Sequence, residues 1–452
     1  MLAMKRLVSM FALLLLVCVA NPVVAQSILR DAESEALLAD MSRDIIRAAN
    51  LSPANVRIVV LNDPSINAFV AGGQTVYIHS GLIDAASNAN EVQGVIAHEL
   101  GHITGGHVPL GDRMARGATG ITLLSLLLGA AAIAAGSADA GIGLMQLGQR
   151  AALGNYLAFS RAQEATTDAA GVKFLSGAGV TGQGMLNFFK KLQQQEYRYG
   201  IRRGSETSYV MSHPLSGERI STLTADLQAD PAWNTPPDPA IEARFLRVQA
   251  KLRGYVADPK DTLRKYPETD MTVPAHYARA YAYHLSGYPQ QAAAEAQALV
   301  KAEPDNPYFL ELEGQILLES GKVSQAIPPL RAATTRTNYQ PLIATTFGHA
   351  LLATEDRAHL AEAETVLRQS VARDRENPFA WYQLGMLYER KGDSARAALA
   401  TAERASLMGD VGRAMASAQA AMAGLPQGSS DWIRAQDIVM ASQGMMADRK
   451  KK

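Results

Sequence analysis

Apolar residues recur at helical spacing in ILRDAESEALLADMSRDIIRAANL, where Leu37, Leu38, Met41, Ile45 and Ile46 are flanked by charges, and the period predicts a helix. The period then changes. VRIVVLND (Val56 to Asp63) and QTVYIHS (Gln74 to Ser80) are β-branched and aromatic runs bounded by turn residues, among them Gly72-Gly73, and they predict strands. From Glu91 the helical period returns, with Val92, Val95, Ile96, Leu100 and Ile103 as its apolar positions.

A different pattern begins near Thr235. TPPDPAIEARF reads as a linker leading into first helices over 235–270, and the alanine-rich helix that follows is punctuated by Pro and Gly. Pro274, Pro307, Pro341 and Pro378 are 33, 34 and 37 residues apart, and Gly287 and Gly321 are 34 apart. A period of about 34 is that of the tetratricopeptide repeat, a helix-turn-helix unit. PFAWYQLGMLYERKGDSARAALATAERA fits its consensus at Trp381, Leu384, Gly385, Tyr388, Gly392 and Ala397. An all-α solenoid of such repeats is expected over 271–445, with a curved groove suited to protein or peptide.

Composition narrows the picture. The 43 basic and 43 acidic residues cancel, with no basic stripe, which argues against nucleic acid as a partner. Residues 1–25 carry Lys5 and Arg6, an apolar run from Leu7 to Ala20, and Val23-Val24-Ala25, the pattern of a secretory signal peptide cleaved after Ala25. The only cysteine, Cys18, lies inside that segment, so any metal in the exported chain falls to His, Asp or Glu.

The chain has nine histidines, and three of them fall in AHELGHITGGHV. His98-Glu99-Leu100-Gly101-His102 is H-E-x-x-H on a predicted helix, which points two imidazoles at one ion and brings Glu99 to a water on it. His107 stands one residue short of the position that a third histidine ligand would need after Gly105, and is expected to be a local hydrogen-bonding or rim residue. Downstream, FSRAQEATTDAAGVKFL predicts a second helix with Glu164 and Asp168 on one face. Glu164 offers a carboxylate ligand and Asp168 an acceptor for the spare N–H of a ligand histidine.

H-E-x-x-H, then S-R-x-x-E-x-x-x-D, then SHPLSGERI resembles the HtpX and CAAX-prenyl-protease type of zinc metallopeptidase; NAFVAGGQTVYIHSGLI is similar to that family's segment before the zinc helix. The trailing repeats resemble its BepA-like periplasmic branch. The resemblance implies an α+β zincin-type, gluzincin-like domain, mostly helical with a small sheet, over 26–234. It implies one Zn2+ per chain on His98, His102 and Glu164, with Glu99 as general base. His213 is the family histidine near the metal, as oxyanion stabiliser or at the open coordination position. Asp168 and Arg219 stand behind the ligands, Arg219 equally as a structural salt bridge, and Gln74 to Ser80 resembles the edge strand on which substrate pairs. Thr167 departs from the family's usual alanine and is read as a packing position.

Between the two ligand helices lies an apolar insert, 117–148, whose residues Gly117 to Ala138 carry no charge. A single membrane span there would part His98 from Glu164, so a buried or lid-forming hairpin, or a surface dipping into lipid or an apolar partner, is expected. These readings give a periplasmic zinc endopeptidase with a repeat domain that recruits protein; the family resemblance implies that it is peripherally associated with the outer membrane, acts on misfolded or stalled outer-membrane proteins and contacts their assembly machinery. The competing class is a chaperone or scaffold whose zinc site is latched or structural, and a third is an integral-membrane protease.

Overall fold

The computed structural model describes residues 27–107, 138–199, 213 and 216–451. The leader at 1–25 and residues 117–137 of the apolar insert lie outside the described residues, and the remainder of the insert opens a helix. Among the described residues no helix is long and apolar enough to cross a membrane. The chain divides into two compact units, one of residues 1–29 and 44–235, the other of 30–43 and 236–452.

The first unit holds one four-stranded sheet, β1 (Ile28–Leu29), β2 (Arg57–Leu61), β3 (Ala68–Ala71) and β4 (Thr75–His79), in the order β1-β2-β4-β3. β2 and β4 run parallel with Arg57 opposite Thr75, while β3 folds back antiparallel onto β4 with Ala71 opposite Thr75. Gly72 and Gly73 make that reversal at φ of 62° and 94°, a conformation glycine adopts without a Cβ penalty. Val76 and Ile78 alternate inward from β4 and are fully buried.

The sequence-based expectation that Gln74 to Ser80 forms the edge strand is corrected here. β4 is hydrogen-bonded on both sides, by β2 and β3, because the glycine turn brings β3 back against it; among the described residues the edges are β1 and β3.

Helices complete the unit. α2 (Ser80–Ala85) leads into α3 (Ala89–Thr104), followed by α4 (Ala138–Gly177), α5 (Gln183–Tyr199) and α6 (Gly217–Ala229). α3 starts where the Asn88 side chain accepts the Glu91 N–H and Glu91 in turn accepts from the Ser87 N–H. Lys191 of α5 reaches the same Glu91 at 2.6 Å. α3 is central, with every residue from Ala89 to His102 except Gln93 buried. Two glycines permit this: a Cβ on Gly94 would lie 2.5 Å from the Met185 Cα, and one on Gly101 would lie 2.9 Å from Thr167. Close approach at Gly101 brings α4 against the histidine face of α3.

The second unit takes in Arg30–Arg43, most of helix α1 (Ala32–Ala48), and everything from Pro236. α7 (Pro239–Val256) and α8 (Pro259–Lys265) precede five helical hairpins: α9 (Val273–Leu285) with α10 (Pro289–Ala302), α11 (Pro307–Glu319) with α12 (Val323–Arg336), α13 (Pro341–Ala353) with α14 (Leu360–Arg373), α15 (Pro378–Lys391) with α16 (Ser394–Leu407), and α17 (Val411–Gly424) with α18 (Ser430–Lys451).

The repeat punctuation has a local cause. Pro274, Pro307, Pro341 and Pro378 sit in the first turn of the leading helices, behind caps from Thr272, Asn306, Gln340 and Asn377. Gly287, Gly321 and Gly392 make the following turns at φ of 75–77°. Trp381, Leu384 and Tyr388 are buried in the core of their repeat, as the consensus match implied. The chain is thus an α+β domain with a small sheet, followed by a solenoid of helical hairpins of the tetratricopeptide type.

Within the second unit, the start of α1 is held by ions. Lys251 is buried between Asp31 at 2.5 Å and Glu33 at 3.5 Å, and Glu33 also accepts from Arg247 and the Tyr277 hydroxyl. A buried ammonium with two carboxylates keeps its charge: burial is the largest influence and opposes it, but Asp31, Tyr277, Tyr281 and Glu33 together outweigh burial and raise Lys251 well above its ordinary value.

Candidate metal centre

α3 supplies His98, Glu99 and His102. At i and i+4 the two histidines share one face, and their Nε2 atoms come within 3.2 Å. α4 supplies Glu164, whose carboxylate lies 3.4 Å from His98 Nε2 and 3.6 Å from His102 Nε2. His213 closes the group, its Nδ1 3.0 Å from Glu164 and 3.4 Å from His98. One ligand atom from each of His98, His102, Glu164 and His213 lies within 4.8 Å of all the others.

The donor set fits a metal ion. Three imidazoles and a carboxylate, with no thiolate, suit zinc better than an oxygen-seeking cation such as calcium or magnesium. Both Glu99 oxygens are buried and accept no hydrogen bond among the described residues. Buried carboxylate oxygens are costly unless something cationic faces them.

Glu99 points into the same space, 3.6 Å from His213 Nε2, and is fully buried. Burial raises its proton affinity above the ordinary carboxylate range, against the opposing charges of His213 and His98. Glu164 moves the other way. Burial would raise it too, but the hydrogen bonds and charges of His213 and His98 outweigh burial and hold it well below the usual range. His102 is pushed down to about 2 by burial, with the charges of His98 and His213 adding to it. It therefore keeps a lone pair for a cation.

A second layer of side chains fixes the first. The His98 Nδ1 lies 3.0 Å from Asp168, and burial of His98 is outweighed by Asp168 and Glu164, which raise it to about 9 when no cation competes. Arg219 from α6 forks onto Asp168 with two bonds of 2.8 Å and reaches Glu164 at 3.0 Å. Ser216 caps α6 on the Arg219 N–H, which places that side chain at the helix start, facing α4. Phe189 of α5 meets the His98 ring edge-on at 5.4 Å and stacks under Arg219.

The structure brings together His98, Glu99, His102, Glu164, Asp168, His213 and Arg219. His107 stays outside the ligand group and contacts the far nitrogen of His102, Nδ1 to Nδ1, at 3.0 Å. Thr167 is more than the packing position read from the sequence. Besides meeting Gly101, its hydroxyl lies 3.0 Å from His107 Nδ1. Thr167 and Phe189 carried no motif of their own; the only sequence signal for Thr167 was its place beside Asp168.

Comparison with known proteins agrees with the geometry. Residues 32–226 match the sequence profile of peptidase family M48. The chain is 25% identical over 400 residues to the Beta-barrel assembly-enhancing protease of Yersinia pestis, covering 86% of this chain and 79% of that protein. It is 30% identical over 187 residues to Metalloprotease YcaL of Escherichia coli (strain K12), covering 41% of this chain and 67% of YcaL. Among solved structures it is similar to YrrB, a TPR protein, at 19% identity and a TM-score of 0.32, covering 39% of this chain and 91% of that one. With the H-E-x-x-H helix, the buried His, His, Glu, His group and these relatives in hand, the chain belongs to peptidase family M48 and is a metallopeptidase.

Proposed function

We propose that this protein is an exported zinc endopeptidase of the periplasm that hydrolyses peptide bonds of misfolded or stalled outer-membrane proteins, its repeat unit binding clients or the assembly machinery. The observation that carries the peptidase reading is Glu99, a fully buried carboxylate without a hydrogen bond among the described residues, beside four converging ligand atoms. The leader-like residues 1–25 support export, and relatives named for β-barrel assembly support the client class.

His98, His102 and Glu164 would hold the zinc, which when bound lowers the pKa of water toward about 7 and polarises the scissile carbonyl. Glu99 takes the proton of the attacking water and passes it to the leaving amine; its burial supplies the raised proton affinity that this task needs. Asp168 holds the His98 proton on Nδ1, so that Nε2 faces the ligand group with its lone pair. Arg219 keeps Asp168 and Glu164 ionised and oriented. The free edge of β3 pairs with an extended substrate, main chain to main chain.

Glu99→Gln tests the reading. Casein hydrolysis is expected to vanish while a single zinc ion per chain is retained, and hydrolysis at the wild-type rate would refute it. One observation favours a second reading, a chaperone with a latched site: His213 reaches into the ligand group itself. His213→Ala separates the two, because an unlatched site turns over faster and a site deprived of its oxyanion partner turns over more slowly.

A further inference from the structure

In the second unit, α14, α15, α16 and α18 enclose a cavity of about 150 Å³ that plays no part in the peptidase chemistry. Four guanidinium groups converge on it, from Arg368, Arg375, Arg396 and Arg434, with Asp431 the one carboxylate in its wall. Two of the four are spent. Arg396 bonds Asp393 at 2.7 Å and Asp431 at 3.2 Å, and Arg434 bonds Glu403 and lies 4.8 Å over the Trp381 ring.

The other two are not. Arg368 donates one bond, to the Tyr388 hydroxyl at 3.3 Å, and the Arg375 side chain, with no hydrogen bond or ion pair among the described residues, has only the more distant charge of Glu403, already bonded to Arg434, opposite it there. Arg368 lies on α14 and Arg375 in the turn that follows it, both exposed beside the same cavity, and each carries five N–H donors in a planar fork. Like charges meeting at one cavity are relieved by an anion between them. Planar oxygens that accept two parallel N–H bonds, as in a carboxylate, match a guanidinium fork.

The cavity also has an apolar side, of Leu384, Leu399 and Trp381. The Trp381 N–H is used by the Arg375 carbonyl at 2.9 Å, so the indole adds apolar surface to the pocket and no donor. A ligand that satisfies both sides carries an anion and an apolar group on adjacent atoms. We propose that this cavity binds the carboxyl terminus of a protein chain, the terminal carboxylate between Arg368 and Arg375 and an apolar last side chain against Leu384, Leu399 and Trp381. The site is independent of the metal centre, so it stands or falls apart from the peptidase reading.

The test uses the full chain carrying Glu99→Gln, to keep the probe intact, and follows the fluorescence anisotropy of a labelled hexapeptide ending in a free phenylalanine carboxylate. Amidating that terminus is expected to weaken binding on the order of tenfold or more, and Arg368→Ala with Arg375→Ala to weaken the free acid by a similar factor. The lysine pair at the same positions should restore part of the loss, since it keeps the charge but not the fork. The circular-dichroism melt of the double variant should match the parent, because neither side chain is buried. Equal binding of acid and amide, unchanged binding by the double variant, or no binding of any peptide would overturn the proposal. So would competition at lower concentration by inorganic phosphate, or by an amidated peptide with an internal aspartate, since either assigns the guanidinium pair to another anion.

Discussion

Replacing Asp168 with Asn keeps the shape of the side chain and removes the charge on which three elements converge. Asp168 accepts two 2.8 Å bonds from Arg219 and faces the His98 Nδ1 at 3.0 Å. An amide can still accept from His98 through its oxygen, but its NH2 group then meets the Arg219 N–H donors, and the buried guanidinium loses the carboxylate that takes two of its bonds. Breaking one side of a buried pair costs about 3–5 kcal/mol. Loosening the partner of a ligand histidine lowers metal affinity about 10- to 100-fold, equivalent to about 1.4–2.8 kcal/mol. Zinc affinity is read by competition with a chromophoric chelator on the folded variant, and stability by urea unfolding of the metal-free protein. Wild-type zinc affinity together with an unchanged urea midpoint would refute the assignment of Asp168 as the residue that orients His98. Arg219→Lys is the companion measurement: the charge remains and the fork is lost, so stability should fall with a smaller effect on zinc.

Further outcomes follow from the same geometry. His107→Ala removes the partner of the far nitrogen of His102 and is expected to lower zinc affinity about tenfold, and Thr167→Ala by less; chelator competition decides, and an unchanged His107→Ala affinity would count against the contact. Gly94→Ala places a Cβ 2.5 Å from the Met185 Cα, where only backbone can yield, so the urea midpoint should fall by an amount equivalent to about 3 kcal/mol. In the second unit, burial pushes Glu311 up to about 8, with Lys251 opposing and Asp31 and Glu33 adding to the rise. A carboxyl raised in the fold contributes stability that is fully present below its unfolded value near 4.5 and is lost as pH rises through about 8. Glu311→Gln should therefore stabilise the protein at pH 9 relative to pH 6, by about 1–3 kcal/mol once screening at this half-buried side chain is allowed for, and an identical gap between variant and parent at both pH values in thermal melts would contradict this.

Much of this protein is written locally. His98, Glu99 and His102 need only one helix to share a face, and the 33- to 37-residue spacing of Pro274, Pro307, Pro341 and Pro378 needs only the first turn of each leading helix, where proline costs no hydrogen bond. Such features depend on backbone geometry within a few residues, so periodicity reveals them. The remainder depends on which surfaces meet. That His107 contacts His102 without joining the ligands, and that Thr167 reaches His107, follows from the close approach of α3 and α4 at Gly101, a distance that no spacing along the chain encodes. The same is true of β4, which has the composition of an edge or an inner strand alike and becomes an inner one because β3 returns across Gly72 and Gly73. Asp31 and Glu33 look in sequence like the solvated face of an amphipathic helix, yet Lys251, Arg247 and Tyr277 close around them in the second unit. The elements, the repeat and the H-E-x-x-H pair are legible along the chain because each is a matter of local geometry; which distant charges neutralise one another is settled in the fold, because burial makes a charge depend on partners that folding alone assembles.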